Sequence, residues 1–172
     1  KPKGFVTTMD DPLGRKTVMG LVKKACRERV YPVGRLDRET TGLLLFTNDG
    51  DLAKKLTHPL HKAEKLYHVV LNKKVSIDDI KKMITGIDLE DGKAVFDKVE
   101  FLDPEDAKEV GIQLHSGKNR IVRRAFESMG YKVKGLDRVM FAGLTKKDLP
   151  RGAYRLLSEK EVAFLKMLKN AK

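Results

Sequence analysis

The stretch "VGRLDRETTGLLLFTNDGDLAKKL", residues 33–56, sets one acid, Asp37, between Arg35 and Arg38 ahead of an almost unbroken apolar run. The run "GLLLF" at 42–46 is apolar on both alternating faces, which predicts a central strand covered on both sides. "NDG" at 48–50 ends that strand and supplies the cap for a helix over 51–56. Asp37 therefore stands at the entry to a buried element, and two readings of it are open. As a turn aspartate it accepts backbone hydrogen bonds, with Thr40 and Thr41 helping to cap the turn, the commoner case for an anonymous Asp. As a carboxylate set between guanidinium groups it suits work as a nucleophile or base.

Outward from this stretch, strand-like and helix-like patterns alternate. Upstream, "GFVTT" (4–8) reads as a strand, "KTVMGLVKKACRE" (16–28) as a helix after the turn signal "DDPLG", and "VYPV" (30–33) as a short extended piece. Downstream, "EKLYHVVLN" (64–72) alternates as a strand should. Ser76 and Asp79 open a helix in capping-box spacing, with Asp in place of the usual Glu. "KAVFDKVEFL" (93–102) and "AKEVGIQLH" (107–115) are strand-like, and a last helix starts at Ser158 and Glu161 with Val162, Leu165 and Leu168 at core spacing. Without an internal repeat or a long linker, this is a mixed α and β chain of one domain.

Composition narrows the partner. With 172 residues, 41% of them hydrophobic, one substantial core is within reach and a disordered tail is the wrong class. Lys and Arg number 36 against 24 Asp and Glu, a formal net charge of +12, so a polyanion is the first partner to consider. No apolar run approaches the roughly 18 residues of a spanning helix, and "KPKGFVTTMDDP" has no apolar leader segment. Cys26 is the single cysteine and has no partner for a disulfide or a thiolate metal site. Of His58, His61, His68 and His115, only the first two are close in sequence, and Pro59 between them disfavours a helical ligand pair. The expectation is a cytoplasmic, reduced protein with metal-independent chemistry.

Residues 119–130 predict a helix with two faces: Val122, Ala125, Phe126 and Met129 on one, Arg120, Arg123, Arg124 and Glu127 on the other. A solvated basic face explains that pattern as well as a phosphate cradle does. The cradle draws on "SGKN" just before it, where Lys118 and Asn119 lead into a helix N-terminus suited to an anion. Tyr67 reads as core on its strand, or as a ring on which an exposed base stacks. Arg138 in "GLDRVMF" reads as one more phosphate contact.

Taken in order, "KPKGFVTT", "YPVGRLDRETTGLLLFTNDGDLAKKLTHP", "EKLYHVV", "HSGKNRIVRRAFESMGY" and "LDRVMFAGLT" through "GAYRLLSEKE" resemble the RNA pseudouridine synthases of the RsuA/RluB type. The resemblance spans essentially the whole chain and is most specific at "GRLDRETTGLLL" together with "GKNRIVRR". It implies an α+β fold with a bent, mostly antiparallel mixed sheet flanked by helices, and residues 1–172 as one catalytic domain. The small alpha-L RNA-binding domain that usually precedes it in the family is expected to be absent.

The implied activity is isomerisation of a uridine in ribosomal RNA to pseudouridine, without metal or organic cofactor. "VYPVGRLDRETTGLLLFTNDG" is closest in wording to the enzymes of large-subunit, 23S, rRNA. By position Asp37 matches the catalytic aspartate, Tyr67 the tyrosine against the target uracil, and Arg123 the basic residue paired with the aspartate. Arg35 looks like the residue that helps hold the nucleotide flipped out. Lys118, Asn119, Arg120, Arg124 and Arg138 are left as RNA contacts. The resemblance leaves open attack at C1′, attack at C6, or elimination to a glycal. Ile121 stands where glutamine is common and Ala125 where methionine is common. A monomer acting on ribosomal RNA or a pre-ribosomal particle is expected, the other reading being a non-catalytic RNA-binding or ribosome-assembly module of the same fold.

Overall fold

The structure, a computed structural model, describes residues 1–168. In chain order its elements are α1 (Met19–Val22), β1 (Tyr31–Pro32), β2 (Thr41–Gly42), β3 (Phe46–Thr47), α2 (Gly50–Thr57), β4 (Lys65–Leu71) and α3 (Ile77–Thr85). There follow β5 (Ile87–Leu89), β6 (Gly92–Ala94), β7 (Lys98–Phe101), β8 (Glu109–Leu114), α4 (Ile121–Ser128), β9 (Val133–Phe141), β10 (Leu144–Thr145) and α5 (Glu159–Met167). The main sheet runs β10-β9-β4-β8-β7, antiparallel throughout, with β2 added in parallel to β9. Two small antiparallel pairs, β1 with β3 and β5 with β6, lie outside it. The architecture is the expected mixed α+β sheet with helices around it.

The longer helices begin where their caps predict. The Asp49 carboxylate accepts from the Leu52 N–H at 3.0 Å and starts α2, which buries Leu52 and Leu56 one turn apart. Ser76 caps α3 through the Asp79 N–H at 3.1 Å. The shorter Asp79 side chain does not return the bond as a glutamate would. Tyr131 fills the gap: its hydroxyl accepts from the Ser76 N–H (3.3 Å) and donates to Asp79 (2.7 Å). In α5 the full box of Ser158 and Glu161 is made.

Two apolar cores form. The first presses Met83 of α3 and Val122, Ala125 and Phe126 of α4 against Val69, Val110, Ile112 and Leu136 of the sheet. The second gathers Val33, Leu45, Leu52, Leu56, Phe141, Leu144 and Leu165 around α2 and α5. Between Leu66/Met140 and Tyr67/Arg138 the register of β4 on β9 slips by one residue, so Val139 is the extra residue of a β-bulge. Among the described residues, no helix is long and apolar enough to cross a membrane.

Several sequence expectations are corrected. "GLLLF" is no central strand: β2 ends at Gly42 and β3 begins only at Phe46. The reason is competition for one edge of β9, where β2 pairs with Asp137 and Arg138 and β10 already occupies Met140 and Phe141. The run leaves the sheet and drops Leu45 into the second core. "GFVTT" contributes only a bridge from Val6 to Thr17, and the helix expected over 16–28 shrinks to one turn because Val18 and Val22 are all it buries. "KAVFDKVEFL" breaks in two, β6 folding back on β5 while β7 joins β8.

Gly42, at φ +115°, makes the β2 contact possible, since a Cβ there would overlap the backbone N, C and O of Arg138. Gly42→Ala is expected to cost more than about 2 kcal/mol of stability, read from chemical denaturation. Wild-type stability in the variant would refute the close approach.

Candidate active site

A cleft of about 400 Å³ opens along the seam between the two cores: Val33, Leu56 and Phe141 line it from one, Leu114, Ile121, Val122 and Leu136 from the other. Arg35, Asp37, Tyr67, Lys118, Asn119, Arg120 and Arg138 also line it, together with Lys65. Segments as distant in sequence as Val33 and Phe141 thus reach one concave surface, rimmed by polar groups and walled by apolar ones.

Asp37 sits on a loop held by its backbone. The Lys1 ammonium donates to the carbonyls of Asp37 (2.9 Å), Thr40 (2.7 Å), Arg38 (3.2 Å) and Pro2 (3.1 Å). Burial lowers the Lys1 pKa to about 8, against the opposing pull of Asp37 and Glu39. The buried Thr7 hydroxyl donates to the Leu36 carbonyl at 2.7 Å and accepts from the Leu36 N–H at 3.3 Å. With the main chain so pinned, the Asp37 carboxylate is left over for the cleft.

The turn-aspartate reading fails here. Among the described residues no backbone N–H reaches the Asp37 carboxylate; its contacts are Arg120 Nη1 at 3.3 Å and Arg123 Nε at 4.0 Å. Nor do the threonines cap the turn with their hydroxyls: Thr40 accepts from Arg123 Nη2 at 3.4 Å, and Thr41 donates to Asp137 at 2.6 Å.

The basic residues divide differently from the two-face helix. Arg120 precedes α4 in the left-handed region (φ 48°), a conformation that turns its guanidinium toward Asp37. Arg123 is buried rather than on a solvated face, and burial, then the charge of Arg120, lower its pKa. Among the described residues its Nε has no hydrogen-bond partner. Arg124 does not line the cleft and grips Asp91 at 2.7 and 3.0 Å. The Lys118 ammonium is likewise committed, to the carbonyls of Asp91 (2.9 Å) and Lys93 (3.2 Å). The main-chain carbonyl of Asn119 accepts from Arg124 Nε at 2.8 Å.

Arg138 is 2% exposed and lies in the floor rather than on a phosphate-accessible rim. Its Nε donates to the Leu43 carbonyl at 2.9 Å and its guanidinium covers the Phe141 ring at 4.7 Å. Tyr67, half-buried, is its register partner on β4.

Lys65 was not singled out by pattern, because a lysine at a strand end usually carries its charge to solvent. Its even spacing from Tyr67, which puts both on one face of β4, was the signal available. Its ammonium donates at 3.2 Å to the carbonyls of Ala63, His115 and Ser116.

A family model described as RNA pseudouridylate synthase matches residues 1–128. The chain is 39% identical over 170 residues to "Ribosomal large subunit pseudouridine synthase B" of Vibrio cholerae, covering 98% of this chain and 53% of that one. To the Bacillus subtilis protein of the same name it is 39% identical over 171 residues, covering 98% and 70%. The chain thus spans about half the length of the Vibrio relative. A crystal structure of a pseudouridylate synthase superposes with a TM-score of 0.85 at 31% identity, covering 96% of this chain and 70% of the other.

Burial lowers the Lys65 pKa to about 8, with the Arg138 charge adding to the fall and Asp97 opposing it. Between about 8 and the ordinary 10.5 the unfolded chain holds a proton that the folded one has lost, so stability from this group rises as pH rises through that window. Relative to wild type, Lys65→Met should be more stable at pH 7 by on the order of 2 kcal/mol, the advantage vanishing near pH 10.5. Denaturation at both pH values checks this; a constant difference would contradict it.

Proposed function

This chain belongs to the RNA pseudouridylate synthase family, and from that premise we propose that it isomerises a uridine of large-subunit ribosomal RNA to pseudouridine, with Asp37 as the nucleophile. The observation that carries the reading is the Asp37 carboxylate itself, free of backbone bonds and facing two arginines at the mouth of a nucleoside-sized cleft.

The target base would have to leave its stack to reach Asp37, at a cost of about a few kcal/mol. Arg35, exposed at the cleft, would meet the phosphates of the flipped nucleotide and help offset that cost. Moving the sugar from N1 to C5 requires the glycosidic bond to break, the base to turn, and a carbon–carbon bond to form. Asp37 would add to C1′ as N1 departs with the bonding electrons. Arg120 and Arg123 would orient the carboxylate, and Tyr67 would lie against the detached ring while it turns. When C5 bonds to C1′, Asp37 would leave, C5 would lose its proton and N1 would gain one, so the product is an isomer of the substrate. Tyr67, on the cleft side of β4, would take the C5 proton. Ribosomal RNA, free or in a cytoplasmic pre-ribosomal particle, is the substrate consistent with the relatives' names and with the +12 charge.

Incubating the protein with unmodified rRNA fragments and mapping pseudouridine chemically tests the reading. Wild type should form product at a defined large-subunit uridine and Asp37→Asn should lose at least about a thousandfold in rate. Product from both at equal rates would remove Asp37, and RNA binding with no product on any fragment would favour a non-catalytic RNA-binding module. Affinity should fall with salt by about 0.7 in the log–log slope for each single-stranded phosphate contacted. A flat dependence would refute the basic cleft as the RNA site.

A further inference from the structure

The floor of the cleft holds two cations with no carboxylate paired to either. Among the described residues, neither Lys65 nor Arg138 lies within salt-bridge reach of an acid. Asp97, whose charge Lys65 feels, is held by His115 at 2.9 Å, and Asp37 faces Arg120 and Arg123. Lys65 spends its protons on three carbonyls at 3.2 Å, long contacts that offset its desolvation only in part. Arg138 is buried, spends Nε on Leu43, and leaves Nη2 with no hydrogen-bond partner among the described residues. The Tyr67 hydroxyl stands near the guanidinium without completing a hydrogen bond to Nη2.

An unpaired buried charge is costly, and a second like charge beside it more so. Folding alone gives no reason for this pair, whose burial lowers both pKa values. A partner that arrives with negative charge does. Phosphates belong to the exposed rim, whereas a side chain 2% exposed at the bottom of the cleft meets only what enters it fully, the base.

We propose that Lys65 and Arg138 form a cationic floor that holds the negative charge of the pyrimidine while it is detached from the ribose. This rests on the isomerase reading above. When the N1–C1′ bond breaks, its electron pair stays on the base, Asp37 gains the bond to C1′, and the base becomes an anion delocalised over N1, O2 and O4. Arg138 Nη2, fixed by Leu43 and Phe141, offers a preorganised donor to a carbonyl oxygen of that anion. Lys65 supplies a second charge from β4. The charge is bound most tightly in the detached state, so the floor accelerates cleavage more than it aids substrate binding. When C5 takes the sugar back, the base loses its charge and the floor releases it.

Two measurements on Lys65→Gln and Arg138→Gln test the floor. The first is equilibrium binding of 5-nitrouracil, an anion at pH 7, against thymine, which is neutral and also substituted at C5. Wild type should prefer the anion by about tenfold or more and each variant by less than about twofold. The second is single-turnover pseudouridine formation, which should fall by roughly a hundredfold or more in each variant while RNA affinity and its salt slope stay within about threefold. Equal binding of the two pyrimidines by wild type, variants that keep the wild-type rate, or losses of RNA affinity that track the rate would each overturn it. If Arg138→Gln does not fold, the wild-type preference and Lys65→Gln still decide. A wild type that prefers the anion yet forms no pseudouridine on any rRNA would sink the isomerase reading and leave the floor standing as an anion site.

Discussion

The bulge at Val139 sets the phase of the cleft. A strand presents alternate residues to one face, so without the extra residue Phe141 and Arg138 would point to opposite sides of the sheet. With it, Phe141, Arg138 and Leu136 all line the cleft from β9, facing Lys65 and Tyr67 of β4. Asp137 is sent to the other face, where Thr41, Lys146 and Arg151 hold it. Strand alternation already puts the adjacent Asp137 and Arg138 on opposite sides of the sheet, and the inserted residue decides that Arg138 is the one that shares its side with Phe141. It leaves the cleft side positively charged.

Around that phase the molecule holds its acid and its cations by different means. Asp37 is fixed through its main chain, by Lys1, Thr7 and the β2 contact at Gly42, so that no local hydrogen bond consumes its carboxylate. Arg123 and Arg138 are fixed by burial, with one buried nitrogen of each left without a partner among the described residues. Such unspent groups cost stability; that of Arg138 lines the cleft and that of Arg123 lies 4.0 Å from the cleft's acid, the pattern expected where a substrate completes the bonding. The seam between two cores makes the arrangement stiff, because each wall is backed by apolar packing of its own.

Much of this was legible beforehand. The caps at Asp49, Ser76 and Ser158, the strand 65–71 and the apolar side of α4 follow from local bonding rules and periodicity, and they are observed. The family resemblance also drew Asp37, Tyr67 and Arg123 together, and the structure brings these three to one region, with Arg120 nearer to Asp37 than Arg123 is. The misread elements share a cause. "GLLLF" has the composition of a buried strand, but whether it pairs depends on β10, some hundred residues later, taking the same edge of β9. The intramolecular bonds of Arg124 and Lys118 to Asp91 and to the carbonyls of the β5–β6 hairpin were equally out of reach of the sequence, because that hairpin lies some thirty residues away.

By itself the sequence determined the mixed α and β class, the starts of the longer helices and the basic character of the surface, since these depend on neighbours a few residues away or on totals over the chain, while the candidate acid rested on the family resemblance along its whole length. Only the tertiary structure decided which cations reach that acid, which are spent elsewhere, and that Lys65 and Arg138 share a floor. Those outcomes turn on a one-residue register shift and on competition for a strand edge. Both are settled by which distant segments meet, not by the pattern within any one of them.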